Sequence, residues 1–349
     1  MTTLDAKWFL DAVPAKPTGK YAHIMMLRVT DSYSLFQTDG ELNTARVQAG
    51  ATDSALMTRI TMFKRKQTTA ERLVGRELLR RYGFLSDLLS GDTRIKINED
   101  NVKVDPDGKP VCDYNVDFCK TCPDCITYGF AIGDSGSEKS KVITDTAYSL
   151  TAYDDSHETM TLNAPYEEGT MSRKGDVTSR INEQDHVKPQ VIFPAVVTVR
   201  DVTLPLFRYV LNNIARARRY GAQTTRTGSM TNHILGVALT DGEVFSNLKF
   251  TQRLYDVLRA NSAIPVPDPV KLDDAAKAAS ELIPILLRED RVAVDQLVMG
   301  ETEAWMSNQH GTTDEAVRAM LGAAFQDSRA YFEAFIKKAD KGGKKASKK

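Results

Sequence analysis

Apolar residues follow two patterns along this chain, one typical of strands and one typical of helices. Three short runs rich in β-branched or large apolar residues predict buried strands: AHIMMLRV (22–29), VIFPAVVTV (191–199) and HILGVAL (233–239). Pro194 lies inside the second run, which indicates an edge or a bulge because proline cannot donate a ladder hydrogen bond. A fourth strand-like run, SYSLFQT (32–38), leads into a turn at Asp39-Gly40.

Helical periodicity lies between and after these strands. In TLPLFRYVLNNIARARRYG, Thr203 is suited to cap a helix, Gly221 is suited to end it, and an apolar stripe lies between them. TTAERLVGRELLRRYG opens with a capping-box pair, Thr68 and Glu71. Further helices are predicted in NLKFTQRLYDVLRAN, in LDDAAKAASELIPILLRE, and in a last segment whose own box begins at Thr312. The order strand-helix-strand-helix after a distant strand pair predicts an α+β fold, with a ferredoxin-like or RNA-recognition-motif-like core and long insertions.

One segment, CPDCITYGFAIGDSGSEKSKV (122–142), resembles a phosphate-binding loop, because GDSGSEKS is one residue away from G-x-x-x-x-G-K-S. Glu138 occupies the position of the second glycine, however, and would place a carboxylate where the phosphate should lie. The motif must also open a helix, whereas the next residues, KVITDTAYSLTAY, have the composition of a strand. The sequence therefore argues against a mononucleotide site and leaves a Gly/Ser-rich loop that carries Lys139 and Lys141.

All four cysteines, Cys112, Cys119, Cys122 and Cys125, lie in one window of the chain. No N-terminal segment resembles a signal peptide and no apolar run is long enough to span a bilayer, so we expect a reducing cytoplasm and no membrane partner. Clustered cysteines there bind metal more often than they form disulfides, and four thiolates suit a tetrahedral structural zinc (Zn) site. The tight spacing C-x6-C-x2-C-x2-C leaves free thiols as the alternative.

Charge is unevenly distributed, although the formal net charge is zero. The last thirteen residues contain seven lysines and one aspartate, so the body before them carries a net charge of −6. Within that body, residues 59–81 hold eight Lys/Arg against two Glu, and residues 208–226 hold five Arg and no acidic residue. Basic stretches on an acidic body indicate a local track for a polyanion, with solvated helix faces as the alternative.

Three segments together resemble a known family: CPDCITYGFAIGDSGSEKSKVITDTAYSL, SRINEQDHVKPQVIFPAVVTVRDVTLPLF and YGAQTTRTGSMTNHILGV. In order and wording they are similar to the backbone subunit of the type I-D CRISPR effector (Cascade) complex, which belongs to the RAMP superfamily of CRISPR-associated proteins. The resemblance covers roughly residues 20–335. It implies an RNA-recognition-motif-like core with peripheral insertions, one of which is a "thumb" hairpin that kinks the bound RNA.

The resemblance also implies a division of the chain and a set of partners. The expected regions are an RRM-like core at 20–45 and 191–260, a lid and helical insertion at 46–95, a cysteine (zinc-binding) insertion at 96–125, a loop and thumb hairpin at 126–190, a helical region at 261–338 and a Lys-rich disordered tail at 339–349. The polar segment 143–190 would supply the thumb, although a disordered loop has the same composition. The partners would be the CRISPR guide RNA, target DNA or RNA paired with it, further copies of this chain in a filament, and other effector subunits.

Binding a guide without sequence preference requires phosphate contacts from Arg, Lys, hydroxyl and backbone N–H groups. The candidates are the triplet Lys64, Arg65 and Lys66; Ser137, Lys139, Ser140 and Lys141 of the Gly/Ser-rich loop; Arg216 and Arg219, expected on one helix face; Thr225, Arg226, Thr227, Gly228 and Ser229 of a glycine-rich loop; and Arg173, Lys174 and Arg180 of the thumb, where Met171 would wedge between bases. Glycine in the loop would let the backbone pass close to a phosphate. Solvated helix faces for the triplet and an ordinary polar turn for 225–229 are the alternatives.

We expect a binding protein rather than an enzyme. The five histidines are scattered, and the sequence contains no H-E-x-x-H motif and no nucleophile elbow. Related backbone subunits of type III complexes cut RNA with an aspartate after an early strand, which makes Asp31 and Asp39 candidates for a metal-dependent endoribonuclease, although turn and cap roles for Asp are commoner. A zinc-stabilised scaffold that binds only protein is a further alternative. No strand carries RNP-type aromatics, so we do not expect RNA on an open sheet.

Overall fold

The fold comes from a computed structural model, which describes residues 4–38, 40–132, 136–163, 166–167, 172–173, 176–177, 181–300 and 313–337. The strands, in chain order, are β1 Tyr21–Thr30, β2 Gln37–Thr38, β3 Glu41–Leu42, β4 Thr44–Gln48, β5 Leu56–Met62, β6 Lys96–Ile97, β7 Lys103–Val104, β8 Phe130–Ala131, β9 Ser137–Glu138, β10 Val142–Thr144, β11 Ala147–Tyr148, β12 His157–Asn163, β13 Ser172–Arg173, β14 Asp176–Val177, β15 Ile181–Val187, β16 Ile192–Arg200, β17 Met230–Thr240 and β18 Val294–Met299. The helices are α1 Lys64–Arg81, α2 Pro123–Tyr128, α3 Tyr153–Ser156, α4 Leu204–Arg216, α5 Asn247–Ala260, α6 Leu272–Glu289 and α7 Asp314–Tyr331.

The central sheet has five antiparallel-paired strands in the order β10-β16-β1-β17-β18. β16 and β17 therefore run parallel to each other with β1 between them, and α4 connects them in a split β-α-β unit. β10 runs parallel to β1 on the other side of β16, and α1 lies in the connection between those two strands. Strands β10, β16, β1 and β17 thus have the ferredoxin-like order, which confirms the predicted α+β class.

Both faces of this sheet are covered. Side chains alternate along β1, so Ala22, Ile24 and Met26 pack into one apolar core, which helices α1, α4 and α7 share. Met25, Leu27 and Val29 pack into a second core with α5 and α6. Burial on both faces explains why β1 reads as a continuous apolar run rather than an alternating one. It also leaves neither face of the sheet open for stacked bases.

Pro194 lies at an edge, as its sequence position predicted. It pairs with Leu27 of β1, while β10 pairs only with residues 197–199 of β16. The Val196 N–H, two residues further along, points away from β1 and donates to Asn247 Oδ1. The proline nitrogen therefore faces the side on which β16 has no partner strand, and no ladder hydrogen bond is lost there.

Three predicted boundaries are wrong. α1 begins at Lys64, so Thr68 lies inside the helix and its hydroxyl donates to the Lys64 carbonyl rather than forming a capping box. α4 ends at Arg216 instead of extending to Gly221. The last helix was predicted to be capped by Thr312, but its cap is Thr313, whose side chain accepts from the Ala316 N–H.

Two regions add to the predicted outline. The span 261–338, expected to be helical, also contributes β18 to the sheet. Residues 157–163 and 181–187 form a two-stranded ribbon, β12–β15, with the short pair β13–β14 between them in the chain. The predicted thumb residues Met171, Lys174 and Arg180 lie outside the described residues, and Arg173 is described only as part of the β13 backbone. Among the helices described above, none combines the length and apolar character that crossing a bilayer requires.

Candidate nucleic-acid interface and metal centre

Two of the predicted basic groups meet beside β10. Lys64 Nζ donates to the Val142 carbonyl oxygen at 3.3 Å, and Ser140 Oγ donates to the same oxygen at 2.7 Å. Lys64 and Arg65 are exposed at the first turn of α1, and Lys66 is partly buried. We call residues 63–66 together with 137–141 the α1–β10 surface. Segments more than seventy residues apart in sequence thus form one basic region.

Within this surface, the lysines of the Gly/Ser-rich loop differ. Lys141 Nζ pairs with Glu138 Oε1 at 2.8 Å and lies 4.6 Å from the centroid of the Tyr331 ring, so it ties the loop to α7. Ser137 and Lys139 are exposed. Lys139 is therefore the loop lysine that points a cation into solvent.

The cations at the start of α1 crowd one another. Burial lowers the pKa of Lys64, and the charge of Asp145 opposes this only in part. Burial also lowers the pKa of Lys66, and the neighbouring Arg65 lowers it further. Three adjacent cations therefore raise the local positive potential, which a polyanion would relieve.

The glycine-rich loop, residues 221–229, packs against the segment that follows β1, residues 31–37. The Gly228 N–H donates to the Tyr33 carbonyl at 2.6 Å. Thr227 Oγ1 accepts from the Leu35 N–H and donates to the Tyr220 carbonyl, at 3.0 and 2.8 Å. Thr227 and Gly228 are buried, so their polar groups are used inside the chain.

The two glycines let the backbone of the loop approach another backbone closely, but that backbone is segment 31–37 of the same chain and not a ligand. Gly221 has φ +99°, and a Cβ built on it would lie 2.2 Å from the Leu35 carbonyl oxygen. A Cβ on Gly228 would lie 2.4 Å from the Tyr33 carbonyl oxygen. Any side chain at these positions would separate the loop from segment 31–37.

The exposed groups around this loop are the ones that can reach a ligand. Thr225 and Arg226 are exposed at its tip, and Ser229 is partly exposed, with its hydroxyl 3.2 Å from Asp31 Oδ2. Arg216 and Arg219 are exposed as well, but the prediction that they share a helix face is wrong, because α4 ends at Arg216. Arg219 instead donates to the Thr227 carbonyl at 2.8 Å. We call Arg216, Arg219, Thr225, Arg226 and Ser229 the loop surface.

A buried ion pair that the sequence did not reveal anchors the loop surface. Arg28 of β1 pairs with Glu71 of α1 at 2.8 Å, and both side chains are fully buried. The same guanidinium donates to the Tyr220 hydroxyl at 3.0 Å and to Asn232 Oδ1. Burial acts against the charge of Arg28, but Tyr220 and Glu71 outweigh it and raise the pKa of that side chain. The network fixes Tyr220, the residue before Gly221, to the sheet.

The two surfaces lie at opposite ends of β1. Val142 pairs with Val199, which pairs with Ala22 near the start of β1. The glycine-rich loop contacts Ser32 and Tyr33, just after the strand ends at Thr30. From Ala22 to Thr30 an extended strand rises about 26 Å.

Segment 31–37 also carries the base of the β12–β15 ribbon. Ser34 bridges to Val187, the Gln37 amide donates to the Asp185 carbonyl, and the Tyr33 hydroxyl donates to Glu158 at 2.7 Å. The same short segment thus contacts the glycine-rich loop on one side and the ribbon on the other. Asp31 is exposed there and accepts hydrogen bonds from Ser229 and Thr231; Asp39 lies outside the described residues.

The four cysteines converge on one point. Their sulfur atoms lie within 4.8 Å of one another, and all four side chains are buried. The separations of 3.9 Å for Cys112–Cys122, 3.6 Å for Cys112–Cys125 and 4.0 Å for Cys119–Cys125 exceed a disulfide bond of about 2.05 Å. A tetrahedral ion with Zn–S bonds of about 2.3 Å would place its sulfurs roughly 3.8 Å apart. The donor set therefore fits a closed structural zinc site.

Neighbouring polar groups support the sulfurs. Arg76 of α1 donates to Cys112 Sγ at 3.3 Å and to Asp124 at 2.9 Å. Asp124 is fully buried and also binds Arg72. The Cys119 N–H donates to Cys112 Sγ, and Thr121 donates to Cys119 Sγ. Sequence reasoning missed these partners. The spacing of Arg72 and Arg76, four residues apart, places them on one helix face and could have indicated that they bind the same group.

Comparison with known proteins gives one family and several similar solved structures. The family model described as Csc2 Crispr matches residues 8–320. The crystal structure of Thermofilum pendens Csc2 is similar with a TM-score of 0.57 at 14% identity, over 96% of this chain and 94% of that one, which shows a shared fold. A chain titled as part of a CRISPR RNA-guided surveillance complex has 13% identity and a TM-score of 0.46, over 87% of this chain and 99% of its own. No curated protein matches.

Proposed function

We propose that this chain, which belongs to the Csc2 CRISPR family, is a RAMP-superfamily protein that binds a CRISPR guide RNA as the backbone subunit of a type I-D effector complex. The observation that carries the proposal is the pair of exposed basic surfaces at opposite ends of β1, in a chain of this family. Basic surfaces at the two ends of β1 suit an extended single-stranded RNA that crosses the subunit from one surface to the other. The protein would act in the cytoplasm.

The contacts would be made to phosphates, while base pairing reads the target sequence. Lys64, Arg65 and Lys139 would bind at one end and Arg219 and Arg226 at the other, since all five are exposed. The buried Thr227 and Gly228 would hold the loop in place without touching the RNA. In this proposal the protein binds and presents the guide and performs no cleavage.

Copies of the chain would associate head to tail along the guide. An interface between two different patches generates an open filament unless its rotation closes into a ring. The partners would be these copies, other effector subunits, and target DNA, or RNA, paired with the guide. The four cysteines would hold zinc, which when bound supplies a rigid cross-link between residues 112–125 and, through Arg76, helix α1.

The direct test is to purify the protein from a host that carries a CRISPR array. We expect a high-mass assembly with a raised 260/280 nm absorbance ratio, and sequencing should show spacer-containing guides. A nucleic-acid-free monomer that also ignores added single-stranded RNA would refute the proposal and favour a protein scaffold. Affinity should fall steeply with salt, because released counterions contribute to phosphate binding.

Charge reversal would test the two surfaces separately. Lys64→Glu with Arg65→Glu should weaken RNA binding, and so should Arg219→Glu with Arg226→Glu. Arg94→Glu with Lys96→Glu is the matched control with the same change of charge, because both residues are exposed and belong to neither surface. Equal losses in all three variants would indicate general electrostatics instead of a defined track.

One observation favours a second function. Asp31 presents an exposed carboxylate where the glycine-rich loop meets segment 31–37, which is a position suited to a metal-dependent endoribonuclease. If the chain cuts bound RNA, Asp31→Ala should abolish cleavage while leaving binding intact. Uncut RNA after incubation of the wild-type protein with Mg²⁺ or Mn²⁺ would exclude this activity.

A further inference from the structure

Phe63 occupies an unusual place at the start of α1. It is the N-cap residue of the helix, and its side chain provides no capping hydrogen bond. Phe63 is 43% exposed, although Ile60 and Met62, just before it, are fully buried. A large aromatic side chain is thus partly exposed directly after the buried end of β5.

Three other α-helices of the described chain begin with a side-chain cap, whereas α2, α3 and α6 do not. Thr203 of α4, Ser246 of α5 and Thr313 of α7 each accept a hydrogen bond from a first-turn N–H. These hydroxyl residues are the preferred N-caps, whereas phenylalanine is disfavoured there. The long helix among those without a cap, α6, instead has Asp273 and Asp274 in its first turn, which favour the helix dipole. The first turn of α1 carries Lys64, Arg65 and Lys66 and no acidic residue, which opposes the helix dipole.

Helix formation therefore does not favour the combination of an uncapped start and a basic first turn that α1 shows. Positions at which a chain departs from its own local rules are commonly functional. An exposed aromatic ring directly followed by three cations is the combination that single-stranded nucleic-acid sites use: the ring stacks on a base and the cations contact the adjoining phosphates. The acidic residue that faces Lys64 is Asp145, so the cations outnumber the acid there.

We propose that Phe63 is a base-stacking residue for single-stranded RNA. The proposal rests on the proposed function and adds a contact that phosphate binding alone does not require. The base lies flat on the exposed ring, while Lys64, Arg65 and Lys139 hold the phosphates on either side. Stacking of this kind tolerates every base, because each base has a π face, and so it agrees with a guide of any sequence.

The test compares Phe63→Leu, Phe63→Trp and the wild type in binding a single-stranded RNA oligonucleotide. Phe63→Leu should weaken binding about tenfold, because stacking contributes appreciably for each base. The slope of log Kd against log salt should not change, because no charge is removed. Phe63→Trp should bind like the wild type, and its added fluorescence, after subtraction of the wild-type signal, should be quenched by RNA.

Leu73→Ala is the matched control, since Leu73 is an exposed apolar residue of the same helix, outside the basic turn. Leu73→Ala should change the affinity less than twofold. Phe63→Leu and Leu73→Ala should both melt near the wild-type temperature. If Phe63→Leu binds as tightly as the wild type and Phe63→Trp shows no quenching, the stacking role is wrong while RNA binding stands. If the wild type itself does not bind RNA, the proposed function fails, and the stacking role fails with it.

Discussion

The cysteine cluster and the glycine-rich loop both have sequences that suggest a ligand, but their buried polar groups contact different partners. In the cluster, four buried sulfurs lie within 4.8 Å of one another, and three of the pairs are 3.6–4.0 Å apart, which is too long for disulfides and fits ligands around a tetrahedral ion. In the loop, the buried Thr227 is fully matched by Leu35 and Tyr220 of the same chain. Four buried thiols gathered around one point indicate an ion, whereas a hydroxyl whose hydrogen bonds are all made within the chain indicates a scaffold. Five predictions test this contrast, in order of decreasing effect.

The largest effect should follow loss of a cluster cysteine. Cys122→Ser removes one of four ligands, and structural zinc contributes about 10 kcal/mol or more to folding in small metal-dependent domains. We expect one zinc per wild-type chain by elemental analysis, and a clearly lower melting temperature for the variant and for chelator-treated protein. A zinc-free wild type that melts at the same temperature as the variant would show that the cluster is a set of free thiols.

The next largest effect should follow disruption of the buried pair that anchors the loop. Glu71→Gln leaves the Arg28 guanidinium uncompensated, and breaking a buried pair in this way costs about 3–5 kcal/mol. The double variant Arg28→Met with Glu71→Leu should recover much of that loss, because no unpaired charge remains. Urea unfolding of the single and double variants measures both values, and a double variant less stable than the single one would contradict the argument.

A satisfied buried group in the sheet should affect acid stability and leave RNA binding unchanged. Burial lowers the pKa of His23 from 6.5 to about 4, with its ring between Thr198 and Thr240. The unfolded chain takes up the proton first, so stability should fall as the pH drops from 6.5 to 4 and level off below. Between pH 7 and 5 the loss should be about 2 kcal/mol. His23→Gln should lose less over that range, as urea unfolding at the two pH values would show.

Thr227→Ala should destabilise the protein without a direct effect on RNA binding. It leaves the buried Leu35 N–H and Tyr220 carbonyl without a partner, at a cost of about 1–2 kcal/mol. Thr227→Ser retains the hydroxyl and should be close to the wild type. Measured well below the melting temperature, both variants should bind RNA with wild-type affinity, and a salt slope altered by Thr227→Ala would mean that the hydroxyl contacts the ligand itself.

Arg226→Ala should show the reverse behaviour and the smallest change in stability. Its exposed side chain makes a single weak contact within the described part of the chain, at 3.5 Å to Gln223, so the free energy of unfolding should change by less than about 0.5 kcal/mol. RNA affinity should fall, and the salt slope should decrease by about one, as for loss of one phosphate contact. A stability loss as large as that of Thr227→Ala would place Arg226 among the scaffold residues.

Local patterns in the sequence were sufficient for much of this fold. The apolar runs located β1, β16 and β17, and Thr203 was placed correctly as the cap of α4, because strand burial and helix capping depend on residues close in the chain. The cysteines could be predicted to cluster because all four lie within fourteen residues. The end of α4 could not be predicted in this way. Tyr220 lies beyond the helix, where its hydroxyl accepts a hydrogen bond from Arg28, which is 192 residues away in sequence.

The sequence by itself determined which residues carry charge, which can bind metal, and where β1, β16, β17 and the main helices lie. Only the tertiary structure decided which of the candidate RNA contacts are exposed. It joined Lys64 to Ser140 through one carbonyl oxygen and buried Thr227 and Gly228 against segment 31–37. The reason is that exposure depends on contacts between distant segments, and a residue type reveals what a side chain can bind but not what already covers it.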